Sequence, residues 1–152
     1  MTWSKGQDEI QTLLDQNELE RIAPNAKLSE RYISEAANHL ASAESIIGSD
    51  LSGSYDLAYD SARKACAALL AVQGLRATSQ GGHIAVGDAV QAQFGPAFKA
   101  FNRLRRERNR SEYPDATTPT TTEADARYAI ETAAKLLEGA QQLLATRQVD
   151  GF

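Results

Sequence analysis

Arginine in an unusual concentration and histidine at two isolated positions are the residues of this chain best suited to chemistry near neutral pH. The stretch FNRLRRERNRSEYPDAT, residues 101–117, packs five arginines between Arg103 and Arg110 and continues into Glu112 and Tyr113 before Pro114. Guanidinium groups grip phosphates and carboxylates with paired, charge-assisted hydrogen bonds, so the stretch is a candidate anion site. His83 follows Gly81-Gly82 at the start of a predicted helix, where it either packs as a helix-start residue, the first reading, or sits where backbone can approach an anion closely. His39 lies among Asn38, Leu40 and Ala41 and reads as structural or exposed. The two histidines and the lone Cys66 have no metal-ligand spacing, so neither metal nor cofactor is expected. A glycine-rich phosphate loop and a Ser-His-Asp order are both missing from the sequence.

Helical geometry divides the arginines. Each residue turns about 100°, and Phe98, Phe101 and Leu104 fall within about 60° of one direction, the buried one. Arg105, Arg108 and Glu112 lie within about 40° of Phe101, and Asn109 within about 80°. Arg103, Arg106 and Arg110 fall on the opposite side, as a solvated face would. An inward arginine costs free energy unless it is paired and hydrogen-bonded. Two readings stay open at this point. Arg108 pairs with Glu112 one turn on, or the inner face lines a cleft that receives a phosphate.

The rest of the chain is acidic. Residues 99–110 carry six basic side chains and one acid, whereas the other 140 positions carry ten basic and nineteen acidic ones. Nucleic acid held over the whole surface is excluded by that balance, but one local positive site is not. A single cysteine precludes an intramolecular disulfide and suits a reducing compartment. MTWSKGQDEIQ has no apolar core of signal-peptide length, and no run nears the roughly 18 apolar residues of a membrane span. A soluble cytoplasmic protein is the expectation.

The 152 residues, with 42 % hydrophobic and that share dominated by Ala and Leu, predict one helical domain. Helices are predicted at about 7–22, ended by Pro24-Asn25, and from Ser29 to a C-cap at Gly48. GSDLSGS then breaks the chain. A central alanine-rich helix follows at about 55–73 with Gly74 as its C-cap, then a short one at about 83–94. Pro96 opens the arginine helix. Thr120 to Glu123 matches a capping box before a last helix, about 123–146. No strand is predicted. The organisation expected is an N-terminal helical segment, 1–26, a helical bundle, 27–147, and a tail, 148–152. In YDLAYD, Tyr55, Asp56, Tyr59 and Asp60 are read as hydrogen-bonding groups inside the bundle, with Asp60 placed to meet Arg63 and Lys64.

AYDSARKACAALLAVQGLR, the GGH turn and the later RRERNRSEY together resemble the HEPN superfamily (higher eukaryotes and prokaryotes nucleotide-binding), over roughly residues 28–144. The resemblance implies an all-α, up-and-down four- to five-helix bundle that forms a symmetric homodimer. Many members are metal-independent ribonucleases. Others bind RNA or nucleotides without cleaving them, often beside a nucleotidyltransferase partner in toxin–antitoxin or defence modules. The ribonucleases carry an arginine, then a polar residue such as asparagine, then a histidine four to six positions on. Arg108-Asn109 matches the first half, but Tyr113, preceded by Glu112, holds the histidine slot, and no histidine follows His83. This Arg-Asn-x-x-Glu-Tyr form resembles a divergent branch. A phenol with a pKa of about 10 is a poor base at neutral pH. The expectation is therefore a binding module using Arg105, Arg108, Asn109 and His83. The alternatives are a ribonuclease using Arg108, Glu112 and Tyr113, and a purely structural interaction domain.

Overall fold

The computed structural model describes residues 4–147 and 149–151. Six α-helices run in the order α1 (Gln7–Asp15), α2 (Ala26–Ile46), α3 (Leu51–Gln73), α4 (Gly82–Phe94), α5 (Lys99–Glu112) and α6 (Glu123–Ala145). Two short strands, β1 (Leu19–Arg21) and β2 (Leu75–Ala77), pair antiparallel with Leu19 opposite Ala77 and Arg21 opposite Leu75. The mostly helical bundle is the one expected, but the strands are a correction. The predicted first helix does not reach Ile22, because Asn17 turns left-handed at φ 58° and the chain leaves as β1. No described helix is long and apolar enough to cross a membrane.

α3 is the axis. Ala58, Ala62, Ala65, Cys66 and Leu69 are fully buried on it, and it packs against α2, α4, α5 and α6. Small residues let α2 approach as an antiparallel partner. Ser54 and Ser61 donate from α3 to the α2 carbonyls of Ala43 and Ala36, both at 2.7 Å. The α2–α3 connection is shorter than GSDLSGS suggests. Asp50 caps α3 by accepting from the Gly53 N–H, so the helix starts inside that stretch. Asn25 caps α2 in the same way, through Leu28, so that helix starts before Ser29. α2 ends at Ile46 with Ile47 as its C-cap, not Gly48. Gly74 does close α3, at φ 77°.

The arginine helix is placed from both ends. Pro96–Phe98 forms a 3-10 turn that leads directly into α5. The loop after Pro114 finishes in a capping box between Thr122 and Asp125, two residues later than the predicted Thr120–Glu123 pairing. Phe101 and Leu104, both fully buried, pin α5 onto the core along the predicted stripe.

Candidate anion-binding site

Tyr59 organises the site. It is fully buried on α3, and its ring stacks on Phe101 of α5 with centroids 5.5 Å apart and planes at 16°. The Tyr59 hydroxyl lies 2.7 Å from Nδ1 of His83. The guanidinium carbon of Arg108 sits 5.6 Å from the centroid of the same ring, at cation–π range. One aromatic side chain thus joins α3, α4 and α5.

His83 reaches this point through the turn that precedes it. Thr78 Oγ1 accepts from the Gly81 N–H at 3.0 Å, and the Gly82 N–H donates to the Thr78 carbonyl at 2.8 Å. Any Cβ at Gly81 would collide with the Glu18 carbonyl, so only glycine lets α4 begin against the β1 end. Burial pushes the His83 pKa down, and the Arg63, Arg108 and Arg105 charges push it the same way, with Asp60 opposing. Burial likewise raises the Tyr59 phenol pKa, against the pull of Arg63, Arg108 and Arg105. At neutral pH the phenol therefore keeps its proton and the imidazole is neutral, and the imidazole tautomer sets which of the two donates across the 2.7 Å contact.

Around this pair the cations outnumber the carboxylates that act on them. Three arginines and only Asp60 dominate the field at His83. Arg63, one turn after Tyr59, is held by Asp60 at a long 3.4 Å. Arg105 meets no carboxylate among the described residues, and its Nε is buried without a partner. Arg108 Nε is in the same state. The expected Arg108–Glu112 pair exists, but at 3.9 Å it is an ion pair beyond hydrogen-bonding distance. Asp56 lies beyond it, its carboxyl pKa raised by burial and by Glu112, and lowered by Arg108. The inner face thus carries guanidinium groups with unused donors.

The other predicted residues separate from this cluster. Asn109 is exposed, and Tyr113 is 80 % exposed past the end of α5. Glu112 is half-open to solvent, with its side chain 41 % exposed. Of the outer arginines, Arg106 and Arg110 are exposed, while Arg103 lies 4.3 Å over the Tyr128 ring and meets Glu107 at 3.3 Å. His39 belongs elsewhere, on the α2–α3 seam, 3.0 Å from Lys64 Nζ. The buried thiol of Cys66 is pushed up to about 12, which leaves it unreactive. Sequence reasoning left Tyr59 and Arg63 as bundle residues. Their one-turn spacing on α3 was visible, but the helices they face were not.

The model of the HEPN domain family matches residues 29–143, from the first turn of α2 to near the end of α6. No curated protein and no solved structure matches the chain.

Proposed function

The chain belongs to the HEPN domain family, and on that premise we propose that it is an RNA- or nucleotide-binding module whose phosphate contact is the inner face of α5 with His83. One observation carries this reading: Arg105 and Arg108 bury Nε donors with no protein partner, beside an imidazole that shares their charge environment. A buried cation without a hydrogen-bonded partner is costly, and a phosphate would supply acceptors for both. Arg105, Arg108 and His83 form the contact, with Asn109 at its exposed edge. The reading extends to a homodimer and to a nucleotidyltransferase partner in a toxin–antitoxin or defence module. The test is binding of a panel of short RNAs and nucleotides to the wild type and to Arg108→Ala. Wild-type binding with a loss of about tenfold or more in the variant is expected, the range of a charge-assisted hydrogen bond. No binding, or equal binding, overturns the reading.

A second reading, a metal-independent ribonuclease, draws support from the position of His83. In the tautomer whose Nδ1–H donates to the Tyr59 hydroxyl, Nε2 carries a free lone pair and is a base of suitable strength, which Tyr113 is not. In that case the base takes the 2′-hydroxyl proton, the 2′-oxygen attacks phosphorus to form a 2′,3′-cyclic phosphate as the P–O5′ bond breaks, the leaving 5′-oxygen takes a proton from water, and Arg108 stabilises the charge that develops. Glu112 is the other available base. RNA cleavage in the presence of chelator, lost in both Arg108→Ala and His83→Ala, is the expected result. RNA left intact by the wild type removes this reading.

A further inference from the structure

A cavity of about 320 Å³ opens beside the arginine cluster and shares Arg63 and His83 with it. Its walls come from the start of α2, the second half of α3, β2 and the first turns of α4. The floor is apolar, with Ala67, Leu70 and Val86 among its residues, and Tyr32 stands at one side. The volume is at the lower end for small-molecule sites, which run from about 300 to 1,000 Å³. We propose that this cavity is the ring subsite of the phosphate site, so that the ligand is a nucleoside monophosphate, its base on the apolar floor and its phosphate at Arg63 and His83, which join the cavity to Arg105 and Arg108. The assignment rests on the anion-binding reading above and adds the class of ligand to it.

Three features select this occupant. First, cations available to the ligand lie on one side only. Arg76 also borders the cavity, but its guanidinium is held by Glu20 across the β1–β2 pair at 2.6 Å. Arg63 has only its long contact with Asp60. The ligand is therefore anionic at one end and uncharged at the other. Second, an apolar floor beside a tyrosine accepts the face of a planar heterocycle, and alanine at position 67 leaves room for it. Third, the cavity is walled by α2, α3 and α4 and by β2, which admits one ring and not a run of stacked bases. A polymer would meet the arginines through its backbone and leave the cavity unused.

Calorimetric titration with the four ribonucleoside monophosphates, ribose 5-phosphate, inorganic phosphate and a hexauridylate without terminal phosphates tests the assignment. At least one nucleoside monophosphate should bind about tenfold or more tighter than ribose 5-phosphate, the order expected for burying a planar ring. Ala67→Phe, at a half-buried position, should abolish that advantage and leave ribose 5-phosphate binding unchanged. Ala67→Leu serves if the larger ring disturbs folding, with the circular dichroism melt as the check. Equal affinities for the nucleoside monophosphates and ribose 5-phosphate would overturn the ring subsite and leave the arginine site standing. Tight binding of the oligomer with none of the monophosphates would do the same. Failure of every ligand, together with the RNA panel above, would overturn both.

Discussion

Arg63 and Lys64 are neighbours in sequence on α3 and belong to two opposite kinds of polar surface. Lys64 turns toward α2, where its Nζ meets Glu35 at 2.8 Å and His39 at 3.0 Å, and Glu35 also takes Arg31 at 3.0 Å. Each charge there has an opposite charge at hydrogen-bonding distance, and the seam is closed. Arg63 turns toward the Tyr59 cluster, where the nearest carboxylates sit at 3.4 and 3.9 Å from their arginines and two guanidinium nitrogens have no partner. A satisfied network has nothing left to offer a ligand. An unsatisfied one costs stability in the free protein and keeps its donors available.

The largest expected effect lies beneath the open cluster. Phe101→Ala removes the ring under Tyr59 from a fully buried position and should cost about 3–5 kcal/mol in urea-induced unfolding. A cost below about 1 kcal/mol would mean that Phe101 is not part of the packed core supporting the site. Next in size is the contrast between binding and stability at Arg108. Arg108→Met should weaken phosphate or RNA binding by about 1.5–3 kcal/mol, the worth of a charge-assisted hydrogen bond. Its urea midpoint should stay equal to wild type or rise, because an apolar side chain of similar length replaces a guanidinium whose Nε is buried without a partner and whose ion pair with Glu112 is long. A clear loss of stability would place Arg108 with Lys64, on the closed side of the comparison.

That contrast explains what could be read in advance. The helices were legible because their faces repeat: Phe98, Phe101 and Leu104 lie on the buried side of the arginine segment, as their spacing dictates. The inward direction of Arg105 and Arg108 followed from the same count, and both are half-buried. Asn109 came out exposed because about 80° from the stripe is already the edge of a helix face. The strands were hidden because three residues carry too little periodicity to distinguish them from loop, and the partner strand of β1 is β2, more than fifty residues away. The role of Tyr59 was hidden for a related reason. Its partners, His83 on α4 and Arg108 on α5, come from separate elements, and only packing decides that a phenol, an imidazole and a guanidinium meet. Arg-x4-Tyr in the sequence directed attention to Tyr113, which ends in solvent, while the imidazole comes from another helix.

Acid should erode the closed seam in its own pH range. Hydrogen bonds from Lys64 and Arg31 hold the Glu35 carboxyl at about 2, against an ordinary 4.5. A folded-state pKa below the unfolded value contributes stability above the unfolded value, and that contribution is lost as pH falls through the folded one. The urea midpoint difference between wild type and Lys64→Met should therefore be full above about pH 4.5 and shrink steadily toward pH 2. A difference independent of pH would show that Lys64 acts through packing of its stem alone.

The smallest expected effect is the most diagnostic of the open cluster. The pKa of His83 is also below its ordinary value, so the sign is the same as for Glu35, although here burial disfavours the charged form whereas at Glu35 hydrogen bonds favour it. Below about pH 6.5 the unfolded chain takes up a proton that the folded one resists, so stability declines as pH drops through that value and levels off below the folded pKa. Burial is the main cause, Arg63 from α3 and Arg105 and Arg108 from α5 act in the same direction, Asp60 from α3 opposes them, and the Tyr59 hydroxyl faces Nδ1. Replacing His83 by Gln should flatten that part of the profile. A bound phosphate works against the arginines, so it should raise the His83 pKa and bind more tightly as pH falls from 7.5 to 5.5. Imidazole NMR shifts followed across that range, with and without inorganic phosphate, measure both effects on one residue. If phosphate leaves the His83 titration where it was, the imidazole lies outside the anion site, and the open cluster reduces to Arg105 and Arg108.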